Sequence, residues 1–347
     1  MKVLQLLLSP RIGGAETLVE SLEAEFLDGG LHSMVAYVDP AGTRSSSPVR
    51  RVQRLRAQIR EFGPDVVLSH SAIPNVYARL AWAGPVVTVL HSASDDFADW
   101  RLRGAEHLLA MRTAAVVAVS AQSATVYHAR FRLGPRVIPN GVRPQFAPAQ
   151  IELREIPRVV CCARLSAQKD PETWFAIAAR VRELSGCRFA WYGPDEGGMK
   201  SGSFPAGVSD EREEWRNDFS GPTAAPWSMM AQASLYLHTA TREAHPIALL
   251  EAAAVGVPII CTNDVAASLP AGLPAATFAA GDVDGGSAVL LDCLARLPEL
   301  RRRAIMQSLA VRNAFDMKQC AVLYRQVLAE AARTGRRKWS PRRQSMP

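Results

Sequence analysis

One stretch constrains this chain more than any other: Thr241-Arg242-Glu243-Ala244-His245-Pro246-Ile247-Ala248-Leu249-Leu250-Glu251-Ala252-Ala253-Ala254-Val255-Gly256-Val257-Pro258. Before it, Ala233 to His238 is a short apolar run bounded by polar residues and reads as a buried strand. Pro246 suits a first helical position, where its missing N–H is not needed. Ile247 to Val255 is then a helix of leucines and small residues, stopped by Gly256 with Pro258 just beyond. Val257 to Thr262 resumes as a strand. Strand, turn, helix and strand make the repeating unit of a parallel sheet, whose strands need a crossover to return. One glutamate lies in the turn and a second inside the helix.

This spacing admits three readings. A hydrolytic acid and base fit poorly, because eight residues of helix rise roughly 12 Å, whereas such carboxylates lie about 5–9.5 Å apart. Ordinary surface charge suits Glu243 better than Glu251, which stands among Leu249, Leu250, Ala252 and Ala253. Two hydroxyl acceptors at opposite ends of one ligand fit best. One would hold a sugar near the helix N-terminus and the other a ribose farther along. A pyrophosphate between them would be drawn by the first-turn N–H groups.

The E-x7-E string, with Pro246, Leu250, Glu251, Ala252, Gly256 and Pro258 in place, resembles the retaining nucleotide-sugar glycosyltransferases of family four. The resemblance implies an α/β chain with the GT-B fold: two Rossmann-like doubly wound parallel-sheet domains facing each other across a cleft. It also implies sugar transfer from a UDP- or GDP-sugar to a glycan or lipid-linked acceptor, with retained anomeric configuration and without a metal or other cofactor.

Length and composition are compatible with this. A chain of 347 residues suggests two domains of about 150 residues each, and 48% hydrophobic with 21% charged residues is ordinary for a globular protein. The six cysteines form no C-x-x-C pair and no metal spacing with histidine, so they read as buried reduced thiols. Met1 to Leu8 is cut short by Ser9-Pro10-Arg11, too soon for a signal peptide or membrane span, and the chain is expected to be cytoplasmic. The net charge of +7 favours anionic ligands or surfaces. No nucleic-acid module is visible.

From the start, Lys2 to Leu8 is a near-continuous apolar run, as in a strand covered on both faces. After Pro10-Arg11-Ile12-Gly13-Gly14, residues Ala15 to Leu27 carry helical periodicity. Gly13 and Gly14 let backbone approach a ligand at a helix N-terminus, or simply make a tight turn; the string Gly-Gly-Ala-Glu resembles the family loop beside the donor diphosphate. Strands at Ser33 to Val38, Asp65 to Ser69, Val86 to Leu90, Val116 to Val119 and Arg136 to Ile138 alternate with helices at Pro48 to Phe62, Asn75 to Trp82, Ala98 to Arg112 and Ala121 to Phe131. Such alternation implies a parallel doubly wound sheet, whose ligands bind beyond the carboxyl ends of the strands.

Several residues stand at those ends. His91 follows Val86 to Leu90, and the resemblance places a histidine there against the donor sugar and its phosphate. Ser120 resembles a family serine before a helix and is also a good N-cap. Pro139-Asn140-Gly141-Val142 matches the family signature closing the first domain, although Asn-Gly is a strong turn former in any case. His70, another strand-end histidine, has no family counterpart and is left unassigned.

Arg143 to Ile156 reads as a linker, and Pro157 to Cys162 begins the second sheet. Ala163-Arg164-Leu165-Ser166-Ala167-Gln168-Lys169-Asp170 then turns into a helix from Glu172 to Glu183. It resembles the family's G-R-L-x-x-x-K-G, whose arginine and lysine clamp the diphosphate, a job suited to two converging cations. Ala163 and Asp170 replace the two glycines, and Asp170 brings a carboxylate near the expected phosphate. Cys187 to Tyr192 is a strand ending at Gly193, which matches a family glycine under the base. Pro194 to Asp218 is irregular and departs from the family.

The resemblance, which runs through most of residues 1–330, thus assigns catalysis to Glu243, Arg164, Lys169 and His91. It assigns donor contacts to Gly13, Gly14, Gly193, Ala244, His245, Pro246, Ile247, Ala248, Leu249 and Glu251, and extends to Ser120 and Asn140. Residues 1–145 form the expected acceptor domain, 146–312 the donor domain, 313–332 a terminal helix crossing back to the first domain, and 333–347 a basic disordered tail. Arg50, Arg51, Arg54 and Arg60 on one helix, together with the tail, could meet a membrane surface or make a solvated charged face. Two rival readings are a non-catalytic nucleotide-sugar-binding partner and a sugar-nucleotide epimerase of the same fold.

Overall fold

The computed structural model describes residues 1–11, 13–41, 47–92, 96–143, 155–195 and 218–339. The chain divides into two compact units, one built from Met1–Arg11, Ala15–Gly141 and the stretch from Met317 onward, the other chiefly from Val142–Asp316.

In the first unit six strands, β1 (Lys2–Leu7), β2 (His32–Tyr37), β3 (Val66–His70), β4 (Val86–Leu90), β5 (Thr113–Ala118) and β6 (Arg136–Val137), form a parallel sheet in the order β2-β1-β3-β4-β5-β6. The runs of Val and Leu in β1, β3 and β4 are buried on both faces, as parallel strands require. The helix Pro48–Phe62 begins with Ser47 accepting from the Arg50 N–H and ends on Gly63 in the left-handed region (φ 63°), a cap glycine fills without steric cost. The helix Ala72–Ala81 starts three residues earlier than periodicity suggests, because Pro74 is tolerated in a first turn.

In the second unit β7 (Arg158–Cys162), β8 (Arg188–Tyr192), β9 (Phe219–Gly221), β10 (Leu235–His238), β11 (Ile259–Thr262) and β12 (Ala276–Phe278) pair in parallel in the order β12-β11-β10-β7-β8-β9. Alternate residues feed two cores. Tyr236 and Cys261 pack with Leu249, Leu250 and Ala253 of the helix Ile247–Ala254, while Leu237 and Ile260 pack with Trp174, Ile177 and Trp191 on the opposite face. Both sheets therefore reverse direction once, between β1 and β3 and between β10 and β7. Those switch points open a crevice beyond the strands' carboxyl ends.

One expectation needs correction. The last helix runs over Met317–Trp339, so residues 333–339, expected to be disordered, continue it; Arg333, Arg336, Arg337 and Lys338 there are good helix formers, and residues 340–347 lie outside the described residues. After β11 the chain makes a short helix, Asn263–Ala266, capped by the Thr262 hydroxyl. Most of the expected linker (144–154) and of the irregular stretch (196–217) also lies outside the described residues. All six cysteines are buried and free.

Candidate functional site

At the switch point of the second sheet the loops after β7 and β10 are joined by backbone. Thr241 N–H donates to the Gln168 carbonyl (2.9 Å), the Gln168 side-chain amide donates to the Arg242 carbonyl (2.9 Å), and the Thr239 hydroxyl reaches the carbonyls of Lys169 (2.9 Å) and Asp170 (2.8 Å). This stapling brings Lys169 onto Glu243. The Lys169 ammonium pairs with Glu243 Oε1, and His238 Nε2 reaches the same oxygen at 3.0 Å. Burial alone would push the Glu243 carboxyl up, but the His238 hydrogen bond and the Lys169 charge outweigh it and hold the group at about 2. Glu243 is thus anionic at neutral pH.

Arg164 lies at the base of the same loop, whose backbone is fixed by Ala163 N–H to the Tyr192 carbonyl and Leu165 N–H to the Pro194 carbonyl, both 2.9 Å. Gly193 faces this backbone so closely that a Cβ there would fall 1.9 Å from the Ala163 carbonyl oxygen. The glycine expected under a nucleotide base is therefore demanded first by strand-to-loop packing. Ala163 stays out of the left-handed region, and its carbonyl accepts from the Trp191 indole at 2.7 Å. Asp170 does take a left-handed conformation (φ 48°), which explains why glycine suits that position. Its carboxylate caps the helix Pro171–Ser185, accepting from Thr173 N–H (3.2 Å) and the Thr173 hydroxyl (2.6 Å). The carboxylate expected near a phosphate is engaged with the helix.

The helix Ile247–Ala254 follows Pro246, which sits at the N-cap position rather than inside the first turn. Ala244, Pro246, Ile247 and Leu249 are buried, and Ala248 is half-buried. The His245 ring packs against Phe315 with centroids 5.3 Å apart, and burial lowers its pKa to about 4. Glu251 contrasts with Glu243. Burial pushes it up to about 7, with Arg143 as the counter-charge pulling it down. Arg143 was read only as the start of a linker, and nothing in its sequence context tied it to Glu251.

Gly14 opens the helix Gly14–Asp28 with clear space around the position a Cβ would take, and Gly13 lies in the preceding bend. In the first unit His91, at the end of β4, is bound to the unassigned His70 at the end of β3: Nδ1 of His70 and Nε2 of His91 are 3.0 Å apart with the rings stacked. Burial lowers His91 to about 4 and His70 well below its ordinary value, so the pair is neutral. Ser120 is the N-cap of the helix Ala121–Phe131, accepting from Ser123 N–H at 3.2 Å. Asn140 is buried, and a Cβ on Gly141 would lie 2.6 Å from the Met317 Cα, so this landmark is a packing device for the last helix.

Sequence reasoning also missed a buried network in this unit. The Arg79 guanidinium pairs with Glu106 and donates to the Thr113 hydroxyl (2.9 Å) and the Asn75 carbonyl (2.9 Å), while Tyr127 donates to Glu106. The available signal was a lone arginine amid small apolar residues of a helix. Among the described residues, no cluster of three or more His, Cys, Asp or Glu side chains could hold a metal ion.

Residues 10–146 match the sequence model of Glycosyltransferase Family 4, and residues 150–268 match that of Glycosyl transferases group 1. Among solved structures the chain is similar to Anabaena Alr3699/HepE in complex with UDP-glucose, with 18% identity, a TM-score of 0.76 and coverage of 96% of this chain and 100% of that one. It is likewise similar to the sucrose-phosphate synthase (tll1590) of Thermosynechococcus elongatus (17%, TM-score 0.72, 94% and 99%). A third is the apo form of the lipopolysaccharide outer core galactosyltransferase WaaB (17%, TM-score 0.60, 96% and 99%). No curated protein sequence matches the chain.

Proposed function

The chain belongs to the GT4-type glycosyltransferases, with the GT-B fold, and from that premise we propose that it moves a sugar from a nucleotide diphosphate to a glycan or lipid-linked acceptor with retained configuration. The observation that carries this reading is the Lys169–Glu243 pair at the switch point of the second sheet, where an α/β sheet offers its ligand crevice.

In this reading the C1–oxygen bond of the donor breaks and its electron pair leaves with the diphosphate, while a new C1–oxygen bond forms to an acceptor hydroxyl whose proton passes to the departing diphosphate. Lys169, Arg164 and the amides at the start of the helix Ile247–Ala254 meet that charge without a metal, a preorganised electrostatic role. Glu243 accepts hydroxyls of the transferred sugar, Glu251 those of the ribose, and the first unit takes the acceptor. Because Lys169 lies on Glu243, binding of the diphosphate would draw the ammonium from its carboxylate. The HepE structure was solved with UDP-glucose, which makes that donor the first to try. The products expected are cell-surface polysaccharide or glycolipid.

The test is nucleotide release from a panel of UDP-, GDP- and ADP-sugars by the wild type, Lys169→Ala and Glu251→Ala. Release lost in both variants supports transfer. Tight binding without turnover on any acceptor supports a binding protein, and a changed sugar on an intact nucleotide supports an epimerase.

A cytoplasmic chain with peripheral contact to anionic lipid fits the same reading. Among the described residues no helix is long and apolar enough to cross a membrane. Arg51 lies 3.9 Å from Asp39 and Arg54 donates to the Val38 carbonyl, leaving Arg50 and Arg60 as the exposed arginines among the four. Trp100, Leu108 and Met111, at 69%, 83% and 92% exposure, add apolar side chains of the kind that favours a bilayer interface. Co-sedimentation with anionic but not neutral vesicles, lost on Trp100→Ser, checks it.

A further inference from the structure

His238 closes β10 and is wholly buried, yet nothing in the chemistry above uses it. Its Nε2 lies 3.0 Å from Glu243 Oε1, and because that oxygen belongs to a carboxylate, Nε2 must carry the proton and donate. The tautomer is therefore fixed, with Nδ1 bare; among the described residues Nδ1 has no hydrogen-bond partner. A second proton there would be unsatisfied, and burial lowers the imidazole's pKa despite Glu243, so His238 is a neutral donor. The Tyr236 ring stacks on it at 6.1 Å, and the Tyr236 hydroxyl is itself held at 3.0 Å by both the N–H and the carbonyl of Cys162. The donor is thus braced from behind.

Both bonds that Glu243 makes among the described residues fall on Oε1, and one of the two donors is Lys169. If Lys169 turns to a donor diphosphate, as the reading above has it, Oε1 keeps a single partner. We propose that His238 is a positioning residue for Glu243: its Nε2–H holds Oε1, so that the carboxylate keeps its orientation and leaves Oε2 for a sugar hydroxyl while Lys169 is engaged elsewhere. The groups facing Glu243 are Lys169 from the loop after β7, His238 from β10 and the un-ionised thiol of Cys161 from β7. His238 is the neutral member that a bound phosphate would leave in place. The proposal rests on the glycosyltransferase reading for its consequence, but not for its first measurement.

That measurement is a carbon-13 carboxyl titration of the full chain, with the Glu243 signal assigned by Glu243→Gln. In His238→Leu the Glu243 midpoint should rise by at least one pH unit, and His238→Gln, which keeps an N–H near the ε position, should restore most of it. An unmoved midpoint in His238→Leu, or a His238→Gln no better than His238→Leu, overturns the proposal whether or not the protein transfers sugar. The second measurement is kinetic. UDP affinity should change less than twofold in His238→Leu, while nucleotide release from UDP-glucose, or from whichever donor the panel selects, falls at least tenfold with its acid limb shifted upward. A uniform loss with the acid limb unmoved marks His238 as packing alone and overturns the proposal. Failure of the wild type to release nucleotide from any donor sinks the enzyme reading and leaves the titration to decide His238.

Discussion

At the carboxyl end of the first sheet His70 and His91 share a hydrogen bond of 3.0 Å; at that of the second, His238 meets Glu243 at the same separation. Burial makes the histidines neutral in both places. The difference lies in the partner. Two imidazoles that both resist protonation carry no net charge, whereas a carboxylate placed against an ammonium can stay ionised in the interior, because each charge offsets the other's desolvation. The second unit therefore keeps an ion pair at its switch point, whereas the His70–His91 pair of the first offers only dipoles. An anionic ligand such as a diphosphate can exploit the former strongly and the latter weakly.

The sharpest way to break that contrast is to remove one member from each cluster. Lys169→Ala should lower nucleotide release by about 10²- to 10³-fold, the usual cost of losing one preorganised donor to developing charge. His91→Ala removes a neutral hydrogen bond contributing about 1 kcal/mol and should cost about fivefold. Comparable losses in the two variants, measured as kcat/KM on one donor, would remove the distinction.

The next effect separates the two glutamates by pH. Glu251, raised to about 7 by burial, holds its proton more tightly in the folded chain than in the unfolded one. Its contribution to stability is complete below about pH 4.3, the ordinary value for an unfolded glutamate, and is lost as pH rises through 7. Glu243, held at about 2, acts in the opposite sense: its contribution is present above the ordinary carboxylate value and is lost as pH falls toward 2. Thermal melts of the ligand-free wild type should thus show a Tm component that declines between about pH 4.5 and pH 7. Glu251→Gln should remove that slope, worth up to about 3 kcal/mol. A slope unchanged in Glu251→Gln would show that Glu251 is solvated and ionised, like an ordinary surface group.

These contrasts also mark how far the sequence could be read. The run from Glu243 to Pro258 placed the helix Ile247–Ala254 to within a residue, because a proline start, a leucine core and a glycine stop are local signals. The strand-helix alternation likewise gave both sheets, whereas the short β12 and the short helix Asn263–Ala266 have too few residues to show a period. Lys169 and Glu243 were both legible as functional candidates, but their mutual ion pair was not. Pairing across 74 residues depends on the β7–β10 adjacency, which strand order decides and periodicity does not. His238 and His70 were hidden for the same reason, since a single histidine ending an apolar strand looks alike whether it meets a carboxylate, another imidazole or nothing. Arg79 and Glu106, 27 residues apart, are a further case.

The smallest expected effects compare the two polar caps, and they test the charge ledger of the second sheet most directly. Ser120→Ala deletes a cap on the helix Ala121–Phe131 and should cost about 1 kcal/mol of stability with turnover unchanged. Asp170→Gly should cost only a few tenths, because glycine caps nearly as well and relieves the left-handed φ of 48° that a side chain resists. The Asp170 carboxylate is spent on Thr173 through both oxygens, so removing it should leave UDP affinity within twofold, measured by calorimetry at two salt concentrations. A several-fold gain in affinity that fades in salt would mean the carboxylate repels the bound phosphate. The charge met by an incoming diphosphate would then include an anion beside Lys169, and the second switch point would be less cationic than its ion pair implies.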